Sequence, residues 1–184
     1  MADMLLLAKK AGFSHFGRAA MSSLTAMSEV RAMCASGKCG MYGRNWSCPP
    51  HCASLETAQE KMRRYSDGVL VQTTAVLADE FDAAAISGAE KRHKQSFFSL
   101  TRQARLIYPD CLPLSAGCCT VCRRCTCPDR PCRFPLKRLS SMEAYGLLVS
   151  DVCHASGLKY YYGEKTLTYS SLILYNESPE GVIQ

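Results

Sequence analysis

Ten of the 12 cysteines sit in two short windows, and that placement constrains the chain more than any other feature. The first window holds Cys34, Cys39, Cys48 and Cys52; the second holds Cys118, Cys119, Cys122, Cys125, Cys127 and Cys132. Only Cys111 and Cys153 stand apart. A chain of 184 residues buries roughly 70% of its unfolded surface and folds without cross-links. Cysteine makes up about 6.5% of it, below the roughly 8–10% of disulfide-stapled scaffolds. With 47% apolar and 21% charged residues it is not a disordered chain. The N-terminus carries an acid first, a short apolar run over residues 4–8 and its lysines afterwards, the reverse of a secretory signal. No stretch approaches the ~18 apolar residues of a membrane span. These features predict a soluble, cytoplasmic protein without a membrane role. In a reducing compartment, clustered thiols point to metal binding or redox chemistry.

The remaining pattern predicts a single α/β or α+β domain, with flanking helices and a four- to five-stranded sheet. The two cysteine loops, at about 34–52 and 117–135, project from it. Asp3 caps a helix over 4–11, and Gly12 ends it. Residues 13–17 look extended and 28–54 look like loop. Ser54 caps a helix with Leu55, Ala58, Met62 and Tyr65 on one face. Asp67-Gly68 reads as a turn into a buried strand over 69–77. A long helix covers about 80–107, interrupted near Ser87-Gly88, with the basic run Lys91, Arg92, His93, Lys94 on a solvated face. A short strand follows over 111–115. Ser140 and Glu143 spell a capping box for a helix carrying Met142, Tyr145, Val149 and Val152, which Gly157 stops. Residues 158–163 and Thr166–Tyr175 read as a pair of strands, and the tail after Asn176 as mobile.

Within the second window the clearest frame is Cys119-x2-Cys122-x2-Cys125-x6-Cys132. Three cysteines at two-residue intervals wrap a tight loop around three corners of an iron–sulfur cube, and a later sulfur closes the site. The x6 gap departs from the ferredoxin spacing, so the agreement is with the three-cysteine core. Zinc, the alternative, more often uses two separated C-x2-C knuckles. The first window matches no standard zinc spacing, yet Cys34, Cys39, Cys48 and Cys52 in one Gly/Pro-rich loop can enclose a second site. Pro49-Pro50 stiffens that turn by fixing φ, and His51 is an alternative ligand. Cys153 continues an apolar stripe and Cys111 opens a strand, so both read as packing residues. Cys118 and Cys127 neighbour the proposed ligands, and either replaces one if the frame shifts.

At these residues the chain resembles a family of small, cysteine-rich bacterial and archaeal proteins described as predicted metal-binding proteins of unknown function. The resemblance rests on Cys39-Gly-Met-Tyr-Gly43 through Trp46-Ser-Cys-Pro-Pro50, and on Gly117-x-Cys119-Thr-Val-Cys122-Arg-Arg-Cys125. Cys132-Arg-Phe-Pro135 and Ser141-Met-Glu-Ala144 complete it. It runs over roughly residues 4–176. It implies metal binding and no particular reaction, with Cys39, Cys48, Cys119, Cys122, Cys125 and Cys132 as ligands.

No Gly-rich phosphate loop or nucleophile elbow is present, and the four histidines form no spaced metal pair. Tyr160-Tyr161-Tyr162 reads as strand packing before it reads as a stacking surface for a flat cofactor. Arg123, Arg124, Arg130, Arg133, Lys137 and Arg138 crowd the second loop, where they compensate thiolate charge or dock an acidic redox partner. With Phe134 as the only interleaved aromatic, single-strand nucleic-acid binding is disfavoured. The formal charge of +6 is weak evidence for a nucleic-acid partner. Four thiolates around a 2+ core leave about −2 per site, so two sites bring the balance to about +2.

Three functions follow as expectations. The first is an iron–sulfur protein with one or two 4Fe-4S clusters, serving electron transfer or a partner oxidoreductase. The second is a zinc-stabilised interaction protein, with nucleic acid as one partner it could bind, and the third a redox enzyme that pairs a cluster with a flat cofactor.

Overall fold

Two ten-residue strands carry the architecture. In the computed structural model, which describes residues 3–79 and 81–176, β2 (Asp67–Val76) and β4 (Thr166–Tyr175) pair antiparallel along their whole length. The register runs from Asp67 opposite Tyr175 to Val76 opposite Thr166. β1 (His15–Arg18) joins the other side of β2, and β3 (Leu112–Leu114) the other side of β4. The result is one antiparallel sheet of order β1-β2-β4-β3 in an α+β domain. Its four strands meet the lower end of the expected range.

Side chains alternate across a strand, and here both faces are covered. Leu70, Leu172 and Leu174 face a layer built from α3 (Leu55–Met62), α5 (Val149–Ala155) and the segment between Met142 and Leu147. Val69, Val71, Ile173 and Tyr175 face α1 (Met4–Lys10) and α4 (Ala83–Ile107) through Met4, Ala8, Phe97, Leu100 and Ala104. Burial on both sides is why Val69-Leu70-Val71 in β2 are apolar at successive rather than alternating positions.

Local signals hold where local chemistry decides. Asp3 accepts from the Leu5 N–H to open α1, and Ser54 accepts from the Thr57 N–H to open α3. Asp82 caps α4 through the Ala85 N–H at 3.0 Å.

Five expectations are corrected. Asp67-Gly68 belongs to β2 and is not a turn; a Cβ on Gly68 would sit 2.7 Å from Leu174 Cδ2 and 3.1 Å from Ala19 Cβ, so close packing selects glycine there. α4 runs unbroken through Ser87-Gly88, because its buried face outweighs the ~1 kcal/mol that glycine costs a helix. Within its basic run His93 is fully buried rather than solvated. Ser140 and Glu143 do not open α5. Ser141 accepts from the Ala144 N–H at 3.1 Å and heads one 3-10 turn (Glu143–Tyr145), which Gly146 ends at φ 78 before α5 begins at Val149. Residues 158–163 form bends and no strand.

One further helix, α2 (Ser28–Ala35), lies inside the segment that reads as loop. Its first turn has no side-chain cap. Tertiary bonds hold it instead: Met27 N–H donates to Gly146 O at 2.9 Å, and Arg31 donates to the carbonyls of Ala53 and Ala144. Among the described residues no helix is long and apolar enough to cross a membrane. The tail after Asn176 lies outside the described residues.

Candidate metal centre

The first cysteine window is delivered by α2 and a chain of turns. Cys34 lies in the last turn of α2, and Cys39 follows on an exposed turn. Gly43 adopts φ 69, and its N–H donates to Pro49 O at 2.9 Å, folding the loop back on itself. Only glycine takes this left-handed conformation without cost. The Cys48 N–H donates to Asn45 O, and the Cys52 N–H to Cys48 O.

A buried polar clamp joins this window to the second one. Asn45 Oδ1 accepts from both the backbone N–H and the hydroxyl of Ser47, each at 3.0 Å. Asn45 Nδ2 then donates to Cys119 O at 2.9 Å, and Ser47 Oγ accepts from the Cys119 N–H at 2.9 Å. Both polar groups of the Cys119 backbone are thus held by the first loop. Asn45 is 2% exposed and Ser47 0%, so these bonds face no competition from water. Trp46 Nε1 donates to Arg130 O at 3.0 Å, and Lys94 Nζ donates to Cys118 O at 2.9 Å while pairing with Glu90. Lys94, read from sequence as solvated, is a fastener of the second loop.

With the loops so interlocked, the sulfurs divide between two cavities. Cys119, Cys122, Cys125 and Cys132 line one small cavity together with Asn45, Trp46 and Arg138. This is the quartet expected from the spacing. Cys34, Cys39 and Cys48 line another, of about 600 Å³, where Cys118 accompanies them. Cys52 does not line that cavity; it lines an adjoining depression with His51, Cys111 and Tyr145, near enough for its sulfur to act on Cys48 and Cys34. Arg123, Arg124, Arg130 and Arg133 border an open hollow that Cys122 and Cys125 also reach.

Burial dominates the chemistry of these thiols. It pushes the Cys48 thiol up to about 12; the Ser47 hydroxyl opposes the rise, and the sulfurs of Cys118, Cys39 and Cys52 add to it. Burial also raises Cys34, with Glu143 and Cys39 adding and Arg31 opposing. It raises Cys118 against the Lys94 ammonium, and Cys119 against the Val121 and Leu139 backbone. At neutral pH these four thiols are protonated, so a metal ion bound to them would displace their protons. Among the described residues, no three His, Cys, Asp or Glu side chains are already drawn together closely enough to hold a metal ion. An ion held in either cavity would have to draw its sulfurs together.

The other sequence candidates have structural employment. Cys153 is fully buried and accepts from Gln72 Nε2 at 3.3 Å, in keeping with a packing role. Cys127 is buried, with its Sγ 3.8 Å from Gly43 O. His51 packs edge-on against Trp46. Tyr162 stacks on His15 at 3.9 Å and donates to Gln72 Oε1, so its ring already has a partner. Asn45, Ser47 and Lys94 carry no spacing signal that sequence reasoning can use, because each acts on a loop more than 20 residues away.

Over residues 20–175 the chain matches the model of the family described as "predicted metal-binding protein (DUF2284)", and it belongs to that family. No curated protein and no solved structure matches it significantly. Membership makes this a member of a metal-binding family by description, and the description names neither the metal nor a reaction.

Proposed function

We propose that the protein is an iron–sulfur protein that passes electrons to or from a partner oxidoreductase, with a cubane cluster held by Cys119, Cys122, Cys125 and Cys132. The observation that carries this reading is the single cavity these four thiols line, three of them on consecutive two-residue steps. Four sulfur donors and no oxygen or imidazole in the set suit a soft, thiophilic centre. A bound cluster supplies a one-electron couple. The chain supplies the thiolates, the backbone clamp on Cys119, and the dry wall of Trp46 and Asn45 that tunes a potential. The arginines at 123, 124, 130 and 133 border the hollow above Cys122 and Cys125, and suit docking of an acidic redox partner. The alternative is structural zinc in the same four-sulfur set.

The test is anaerobic purification, followed by iron, sulfide and zinc analysis with a visible spectrum. Matching iron and sulfide with a broad brown absorption is expected, and Cys122→Ser should abolish most of it. A colourless protein with stoichiometric zinc would refute the cluster. Unchanged iron in Cys122→Ser would refute the ligand frame.

A further inference from the structure

We propose that the protein has a second metal centre, in the cavity that Cys34, Cys39, Cys48 and Cys118 line, built from both cysteine windows together with the carboxylate of Glu143. The proposal rests on the reading that this chain binds metal through its cysteines, but not on which metal the loop quartet holds.

Three observations converge. First, four thiols reach this one cavity from three separate segments: the end of α2, the turns after it, and the start of the second loop. Second, Cys118 is held there by buried construction. Lys94 fixes its carbonyl, while Asn45 and Ser47 fix the peptide groups of its neighbour Cys119. Cys118 thereby lines this cavity and Cys119 the one of the loop quartet, while both border a third hollow beside Lys94 and Phe98. Third, Glu143 lines the same cavity, and its Oε2 is sealed from solvent without a hydrogen-bond partner. Buried polar atoms are almost always paired, and a carboxylate oxygen left unpaired is costly. Beside four sulfurs, the partner it lacks is a cation.

The donor set is sulfur with one hard oxygen, which fits a thiophilic metal such as Zn²⁺ or Fe²⁺, as a single ion or in a cluster. A cavity of about 600 Å³ is also of the size that admits a small exogenous ligand beside a metal. Cys52, the natural fourth ligand on spacing alone, lines the adjoining depression with His51 and Cys111 instead, although its sulfur still acts on Cys34 and Cys48.

The experiment loads the full chain with Zn²⁺ anaerobically, counts metal per chain, and maps iodoacetamide alkylation of each cysteine by mass spectrometry. In the wild-type protein Cys34, Cys39, Cys48 and Cys118 should become protected on loading, while Cys52 reacts as before. Cys118→Ser should lose the cavity's metal and leave Cys119, Cys122, Cys125 and Cys132 protected. Cys52→Ser should keep every equivalent. Glu143→Gln should weaken the cavity's metal affinity by about 10-fold or more. The wild-type map needs no variant, so it decides the matter even if Cys118→Ser does not fold. Protection of Cys52 with Cys118 still reactive overturns the proposal. So does a Cys125→Ser protein, native by circular dichroism, that binds no metal at all. Metal lost in Cys118→Ser but unchanged in Cys125→Ser would support this centre while removing the loop quartet.

Discussion

Lowering the pH from 7.5 to 5 should destabilise this fold through His93. The imidazole is fully buried on α4. Its Nδ1 lies 2.9 Å from Thr73 Oγ1 on β2 and its Nε2 2.8 Å from Ser171 Oγ on β4. Phe13, Phe97 and Tyr169 surround it, and among the described residues no carboxylate reaches it in a hydrogen bond. Burial, with the Lys94 charge adding, lowers its pKa from 6.5 to about 4. Between those two values the unfolded chain takes up a proton that the folded one does not. Stability therefore falls as pH falls through 6.5 and levels off below about 4. At 1.36 kcal/mol per unit, the loss is about 2 kcal/mol at pH 5 and about 3 kcal/mol near pH 4. The assay is urea unfolding across this range in the metal-free protein, with the non-titrating His93→Gln beside it. Measuring both in one metal state cancels the contribution of the thiols. His93→Gln will be less stable at pH 7.5, but should lose about 2 kcal/mol less than the wild type on going to pH 5. Parallel pH dependences for the two proteins would show that His93 is not held neutral by the core, and the argument would fail.

A glycine and a buried side-chain clamp yield further expectations. Gly146→Ala places a Cβ 2.7 Å from Leu55 Cδ2 and 2.9 Å from the Met27 backbone nitrogen, at φ 78; it should cost about 2–4 kcal/mol, read as a lower urea midpoint with unchanged m. Asn45→Ala leaves the Ser47 N–H and the Cys119 carbonyl unpaired in a dry site, a loss of about 1–3 kcal/mol. Cys119 should then alkylate faster in the metal-free protein, and an unchanged rate would mean that the clamp does not hold the loop.

What the sequence discloses follows the range of the interactions. The caps at Asp3 and Ser54 were legible because each donor lies two or three residues from its acceptor. The quartet of Cys119, Cys122, Cys125 and Cys132 was legible for the same reason, its members standing on one loop. α2 was hidden because its stability comes from Arg31 reaching two distant carbonyls. His93 was misplaced because a charge run conceals a residue on the helix's buried face, where Ala89, Phe97 and Leu100 show the 3.6-residue period. Ser140 and Glu143 match a capping box in letter, but Gly146 packs against the start of α2 and α3 and stops the helix that the box would open. The grouping of Cys118 with Cys34, rather than of Cys52, depends on bonds that span more than 70 residues, and no spacing rule reaches that far.

The clamp between Asn45 and Cys119 also sets an order of events during folding. It closes a separation of 74 residues, and the Trp46 bond to Arg130 closes one of 84, so neither exists until the sheet has brought the two loops together. The four sulfurs at 119, 122, 125 and 132 need no such closure. An ion can be grasped by this stretch while the rest of the chain is still unfolded, and folding then imposes the final geometry upon it. A metal that binds the unfolded chain as well as the folded one shifts the folding equilibrium by less than its affinity alone would indicate. Tight binding at the loop is therefore compatible with only a modest rise in melting temperature. If the quartet holds the metal as proposed, an order of loading follows: the loop would fill first, and its selectivity would be decided later, when Asn45 and Ser47 lock the Cys119 backbone in place.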